Sequence, residues 1–389
     1  MGIPGSVEIL LLVAALVAML ARRLRLPYTV GLLGAGVGLA LARAPLGLKL
    51  TQELIFQALL PPLLFEAAFF IEWEALKKDL KPVLTLATVG VLLAASVVAG
   101  GMHFLAGWPL PAAAVFGALI AATDPVSVIA TFKDAGVHGR VRLLVEAESL
   151  INDGVAAVVF GVALLWATGA GLSAGGAALM LLREAGGGVL CGLLVGGILL
   201  FLAGKTEDHL IEITFTTIAA FGSFLLAQKL HCSGVLSTLV CGLLIGNYGS
   251  LGSLTDKGRE AVGSFWEWAA FVANSLVFLL IGTRLASIPL GPSVKIAAIA
   301  VLISLLGRAI AVYPLAAPFK IPIAEQHVLF WGGLRGALGL ALALGLPDSM
   351  PHRDEILAVT FLVVAFSIVV QGITFAPLLR RLGLLDAPD

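Results

Sequence analysis

Eight ionisable residues lie within long apolar stretches of the sequence: Glu66, Asp124, Glu146, Glu148, Asp153, Glu212, Arg308 and Arg335. A charge at the centre of an apolar membrane segment costs at least about 2.5–3.5 kcal/mol, so its first reading is functional and its second a buried ion pair. The acids suit one kind of chemistry in particular. Hard monovalent cations prefer oxygen ligands, and carboxylates add the charge. A carboxylate taken out of water also favours its protonated form. Cation and proton then compete for one group, and exchange of one for the other follows from that competition.

The densest run is Glu146-Ala147-Glu148-Ser149-Leu150-Ile151-Asn152-Asp153. On a helix Ser149 and Asp153 share a face, being four apart, and Glu146 joins that face two turns away. Glu148 points elsewhere, about 140° around from Asp153, with Asn152 stacked near it. This predicts an ion pathway for Asp153 and Ser149 and a structural partner for Glu148, either Arg308 or Arg335. Elsewhere, Thr123-Asp124-Pro125 interrupts an apolar run. Pro125 cannot donate to the carbonyl of Ala121, and it pushes Asp124 out of helical geometry. Unwound carbonyls at such a break coordinate cations, to which Asp124 adds a charge; the alternative is that Asp124 only caps broken helix ends. Glu66, a lone acid in Leu63-Leu64-Phe65-Glu66-Ala67-Ala68, either lines the same cavity or makes an interhelical hydrogen bond. Glu212, nearer a segment end, is expected to snorkel to the interface. The histidines form no pair with ligand spacing and are read as ordinary loop and segment-end residues, His138 and His327 being the two that a pH-sensing role would use.

The elements that position these groups follow from composition. Of 389 residues, 59% are hydrophobic and only 12% charged, with a mean hydropathy of +1.05. A soluble domain carries roughly 25% charged residues, so the chain is read as a polytopic membrane protein. A net charge of zero argues against nucleic acid as a partner, and membrane lipid takes its place. Three cysteines without CxxC spacing give neither a disulfide framework nor a zinc site, and no cofactor is expected.

Thirteen candidate spans lie near 6–21, 27–43, 52–71, 82–105, 111–131, 141–167, 184–203, 208–228, 232–247, 262–284, 294–317, 326–346 and 355–379. Most Lys and Arg fall in alternate loops, which places the C-terminus in the cytoplasm and, with thirteen spans, the N-terminus outside. Trp73, Trp108, Trp166, Trp266 and Trp268 near segment ends read as interfacial anchors. The fourth to sixth segments centre roughly 210 residues before the eleventh to thirteenth. An odd offset of seven segments makes the copies inverted, and inverted repeats with broken helices near the midplane mark transporters. The fifth segment breaks at Thr123-Asp124-Pro125 and the twelfth at Trp331-Gly332-Gly333-Leu334-Arg335-Gly336. GxxxG spacings at Gly34/Gly38, Gly192/Gly196, Gly242/Gly246 and Gly332/Gly336 offer helix-packing faces.

Ala122-Thr123-Asp124-Pro125-Val126-Ser127-Val128 together with Glu148-Ser149-Leu150-Ile151-Asn152-Asp153-Gly154 resembles the monovalent cation/proton antiporter family, in its bacterial NhaP-type and animal NHE-type branch. Leu60-Pro61-Pro62-Leu63-Leu64-Phe65-Glu66, Leu276-Val277-Phe278-Leu279-Leu280-Ile281-Gly282 and Gly332-Gly333-Leu334-Arg335-Gly336-Ala337 extend the likeness over roughly residues 10–380. The resemblance implies an all-α fold of about thirteen transmembrane helices with two broken, crossing helices, assembled as a homodimer in a bacterial or archaeal plasma membrane. It implies a moving core at about 82–167 and 294–379 and a dimerisation scaffold at about 6–71 and 184–284. Asp153 would be the shared ion and proton carboxylate. Asp124, Thr123 and Ser149 would complete the Na⁺ site, with Glu66 nearby through water. Asn152 stands where electrogenic relatives carry a second aspartate, implying electroneutral one-for-one exchange. Glu148 would pair with Arg308, and Arg335 would balance the broken helix ends. The chain departs from the family in length, so no regulatory tail or soluble domain is expected. The expected activity is exchange of Na⁺ or Li⁺ for H⁺ rather than enzymatic, the alternatives being K⁺/H⁺ exchange on the same fold and a cation channel.

Overall fold

The computed structural model describes residues 3–24, 26–124, 128–129, 132, 137, 139–169, 173–249, 254–288 and 290–384. These residues form helices and connecting loops, with no strand among them. In chain order the helices are α1 (Ile3–Leu24), α2 (Tyr28–Leu41), α3 (Leu54–Phe69), α4 (Trp73–Lys78), α5 (Leu80–Ala106), α6 (Leu110–Ala121), α7 (Arg140–Ala167), α8 (Ala174–Ala203), α9 (His209–Lys229), α10 (Gly234–Tyr248), α11 (Asp256–Leu285), α12 (Leu290–Ala316), α13 (Ile323–Trp331), α14 (Ala337–Leu344) and α15 (Arg353–Arg381). Seven are long and apolar enough to cross a membrane, and four shorter ones are equally apolar.

Local sequence decides where several of these helices start. Ser173, Asp208, Ser233 and Thr255 each accept a hydrogen bond from a backbone N–H in the first turn of α8, α9, α10 and α11, which satisfies donors that a helix start leaves unpaired. Gly107 ends α5 in a left-handed conformation, φ 74°, that only glycine adopts at little cost. The helix of the fifth predicted segment stops at Ala121. Pro125, to which the break was assigned, lies outside the described residues, as does His138. The twelfth predicted segment is two half-helices, α13 and α14, separated at Gly332 to Gly336.

Glycine sets how closely the helices approach. A Cβ on Gly246 would overlap the backbone of Phe69, and one on Gly242 would come within 2.9 Å of the Phe65 carbonyl oxygen, so α10 lies directly on α3. Gly192 and Gly196 let α8 approach α10 in the same way. The Gly34/Gly38 pair faces open space instead; it is Gly36, against the backbone of Leu279 and Gly282, that joins α2 to α11. Spacing alone could not separate one glycine face of α2 from the other.

Two further expectations are corrected. Glu212 does not snorkel. It is fully buried and accepts the backbone N–H of Thr255 at 3.1 Å, just before α11, where its charge complements the helix start. Trp108 and Trp266 are buried rather than interfacial; Trp266 donates to the Thr216 hydroxyl at 3.0 Å and packs tilted against Phe65, with ring centroids 4.5 Å apart.

Gly246→Ala should lower stability by about 1–3 kcal/mol, because the added methyl must push α10 off α3. Gly38→Ala should be neutral or slightly stabilising, since it only stiffens the unfolded chain. Thermal unfolding of the two variants in detergent checks the contrast.

Candidate functional site

The chain beyond the end of α6 meets the break between α13 and α14. The backbone N–H of Asp124, beyond the end of α6, donates to the carbonyl of Leu334, between α13 and α14, at 2.7 Å. A broken helix in a membrane leaves polar backbone ends that something must satisfy, and here charged side chains do so. Arg335 donates to the carbonyls of Ala121 and Ala122, at 2.9 and 3.2 Å, at the C-terminal end of α6. Arg308 of α12 donates to the carbonyl of Leu329, 2.9 Å away, near the C-terminal end of α13. The Asp124 side chain lies against Gly336, so closely that a Cβ there would overlap it, beside the N-terminus of α14. Each placement sets a charge opposite the helix-dipole sign it meets.

α7 presents two polar surfaces to this crossing. On one, Thr123 donates to the Ser149 hydroxyl at 3.0 Å, and Asp153 meets a backbone hydrogen bond from Thr123. On the other, Arg308 forks onto Glu148 with two bonds of 2.8 Å, and Asn152 donates to the same carboxylate at 3.1 Å. Of the two arginines left open as partners of Glu148, Arg308 makes the bidentate contact. Both members of the pair are buried.

Asp153, Asp124 and Thr123 meet the unwound segment Gly336 and the leucines Leu60, Leu63 and Leu64 of α3 around a chamber of about 20 Å³. That is room for about one water-sized particle. Asp153 is 4% exposed, and its Oδ1 has no hydrogen-bond partner among the described residues. Two carboxylate residues and a hydroxyl residue thus line a volume of the size of a cation stripped of most of its water. The geometry brings Asp153, Asp124 and Thr123 to the chamber, with Ser149 behind them on the Thr123 hydroxyl. It does not bring Glu66 or Asn152 to the chamber. Glu66 lines a separate cavity of about 620 Å³ beside Glu146 and Arg142, and Asn152 is turned to Glu148. His327 contacts the hydroxyl of Tyr313 at 2.7 Å, away from these groups.

Other residues of the crossing are not evident from charge alone. Ser367 accepts the backbone N–H of Arg335 at 2.8 Å and donates to Gln371 at 2.6 Å; Gln371 donates to the carbonyl of Trp331 at 3.2 Å. Both sit in a π-helical turn of α15, Ser367–Gln371, a local widening common at functional sites. Their spacing of four within an apolar run was the available signal.

The profile of the transmembrane sodium/hydrogen exchanger family matches residues 9–381. The chain belongs to the sodium/hydrogen exchanger family. Within that family it is 38% identical to the Na⁺/H⁺ antiporter ApNhaP of Aphanothece halophytica, over 93% of this chain and 70% of that protein. It is 35% identical to the Na⁺/H⁺ antiporter NhaH of Halobacillus dabanensis, over 97% of this chain and 98% of the relative. The fold matches the sodium proton antiporter MjNhaP1 of Methanocaldococcus jannaschii with a TM-score of 0.81 and 22% identity, covering 98% and 97% of the two chains. The all-helical antiporter architecture expected from the sequence is therefore the one observed.

Removing one partner of a buried ion pair strands the other, at a cost of about 3–5 kcal/mol, whereas replacing both by apolar groups is often neutral. Glu148→Leu and Arg308→Met should each destabilise by about that much, and the double variant by clearly less. A thermal-stability double-mutant cycle measures the coupling; additive losses would show that the pair is not a unit.

Proposed function

We propose that the protein is a secondary antiporter that exchanges Na⁺ or Li⁺ for H⁺ across the membrane, with cation and proton taking turns on Asp153. The observation that carries this reading is the buried Asp153 oxygen, without a hydrogen-bond partner among the described residues, facing a chamber of about 20 Å³. An ionised carboxylate so enclosed requires a positive partner. A cation in the chamber supplies it, with Asp124, Thr123 and Ser149 as further oxygen ligands; a proton on Asp153 removes the need. Both states are tolerated, and an empty ionised site is not, which couples the two fluxes.

The stated activity of the named relatives supports Na⁺ as the cargo. Asn152 has no titratable proton and donates its amide N–H to Glu148, so one carboxyl cycles one proton for one cation and exchange is electroneutral. Glu148 and Arg308 act as a neutral strut, and Arg335 holds the negative end of α6 so that the chamber keeps its shape. Glu66, in the wider cavity, attracts cations towards the site without binding the transported ion directly. In this reading α5 to α7 and α12 to α15 form the core that moves against a scaffold of α1 to α3 and α8 to α11. Two copies form a dimer in the plasma membrane, with the N-terminus outside and the C-terminus in the cytoplasm.

In proteoliposomes, Asp153→Asn should abolish Na⁺-driven pH change, a loss of at least about a hundredfold, while thermal stability is kept or raised. Full activity of that variant would remove Asp153 from the site. Exchange by the unsubstituted protein should be insensitive to an imposed potassium diffusion potential; stimulation by potential would refute the one-for-one stoichiometry.

A further inference from the structure

Three cavities follow one another along α3. Gln52, Glu53, Phe56 and Gln57 line one of about 370 Å³; Leu60, Leu63 and Leu64 line the chamber; Glu66, Ala67 and Phe70 line the cavity of about 620 Å³. α7 runs past the same three in the opposite order, with Glu146 in the last, Asp153 in the chamber and Ala157 in the first. The half-helix α14 gives Leu338 to the chamber and Leu342 to the 370 Å³ cavity. Phe56 and Leu60, Asp153 and Ala157, and Leu338 and Leu342 are each four residues apart. The chamber and the 370 Å³ cavity are thus separated by a single turn on each of three helices, about 6 Å of rise.

An aromatic pair stands at that turn. Phe56 of α3 faces Phe224 of α9 with ring centroids 6.3 Å apart and planes at 43°. Phe224 is 1% exposed and lies on Gly234, where a Cβ would approach its ring to 2.9 Å, so the ring is seated against backbone on one side and Phe56 on the other. Leu236 fills the space beside Gly154, next to Asp153. Apolar constrictions exclude ions because neither the ion nor its water finds a partner there.

We propose that Phe56 and Phe224 form the barrier that closes the ion chamber to the 370 Å³ cavity, and that this cavity is the access route on its side of the membrane. The proposal rests on the chamber being the transport site. The barrier is thin in its length and broad in its rings, so it can block a cation in one state while leaving only one turn to be bridged in the other.

Silver ion is a thiol reagent of about the size of the cargo. In a background with Cys191→Ser, Cys232→Ser and Cys241→Ser, reporter thiols are placed at Ala157→Cys in the cavity and Leu63→Cys in the chamber. Ag⁺ is added in the cold, without Na⁺, to the face from which Ala157→Cys reacts, with a scavenger on the other face. Modification is read as protection from a maleimide after denaturation. Ala157→Cys should react at least tenfold faster than Leu63→Cys. Phe56→Ala or Phe224→Ala should speed Leu63→Cys at least tenfold and leave Ala157→Cys unchanged. The Phe56→Ala and Phe224→Ala variants with Ala157 and Leu63 intact should also pass protons down a pH gradient without Na⁺. Phe56→Leu, a milder change at a half-buried position, keeps the test open if Phe224→Ala does not fold. Equal rates at the two thiols, or a Leu63→Cys rate indifferent to both phenylalanines, would overturn the barrier. Because labelling does not require transport, an active Asp153→Asn would defeat the site assignment while leaving this result standing.

Discussion

The structure depends on one constraint: α6 ends, and the pair α13 and α14 breaks, inside an apolar protein, and the backbone groups these ends leave free must find partners there. Water is not on hand in a membrane to satisfy it. The partners are specific. The Asp124 N–H meets the Leu334 carbonyl, Arg335 holds the carbonyls of Ala121 and Ala122, Arg308 holds that of Leu329, and the Asp124 side chain lies against Gly336 at the start of α14. Gly333 and Gly336 are small because Arg308 and Asp124 occupy the space where a side chain would be. With these carbonyls engaged by protein donors, the chamber beside the crossing is left to the carboxylates of Asp153 and Asp124 and the Thr123 hydroxyl.

α7 connects the crossing to the rest of the molecule by keeping two kinds of carboxylate apart. Glu148 is neutralised by a forked arginine and an amide, so it contributes position and no net charge. Asp153, five residues on, has one oxygen with no such partner among the described residues. A helix turns by about 100° per residue, which is enough to point the two acids at different surroundings. The side chains differ by one methylene, so it is the surroundings that pair Glu148 with Arg308 and leave an Asp153 oxygen without such a partner among the described residues.

Much of this was legible in the sequence because, with only 12% charged residues, the few charges inside apolar segments stand out. The apolar segments, the break at Gly332 to Gly336 and the two faces of α7 could be read from hydropathy, glycine punctuation and helical phase, whereas the grouping of Asp153, Asp124, Thr123 and Ser149 came from the family resemblance. What could not be read depends on distances between segments. Glu66 shares α3 with the chamber leucines, yet one turn of helix moves it into a different cavity. Asn152 neighbours Asp153 in sequence and Glu148 in space. Glu212 has the sequence context of an interfacial residue, but the start of α11 lies beside it, and Gly36 rather than Gly34 or Gly38 faces the neighbouring helix. Phase along one helix is local information, and which partner waits on each face is not.

The account's central claim is that one buried carboxyl holds either a proton or a cation and never both. Proton release on cation addition tests it without transport. Purified protein in weakly buffered detergent, titrated with NaCl at acid pH, should release up to one proton per chain with saturation, and the release should fade as the pH is raised and the carboxyl is already ionised. Choline chloride should release none. Saturable Na⁺ binding without proton release at any pH would contradict the account.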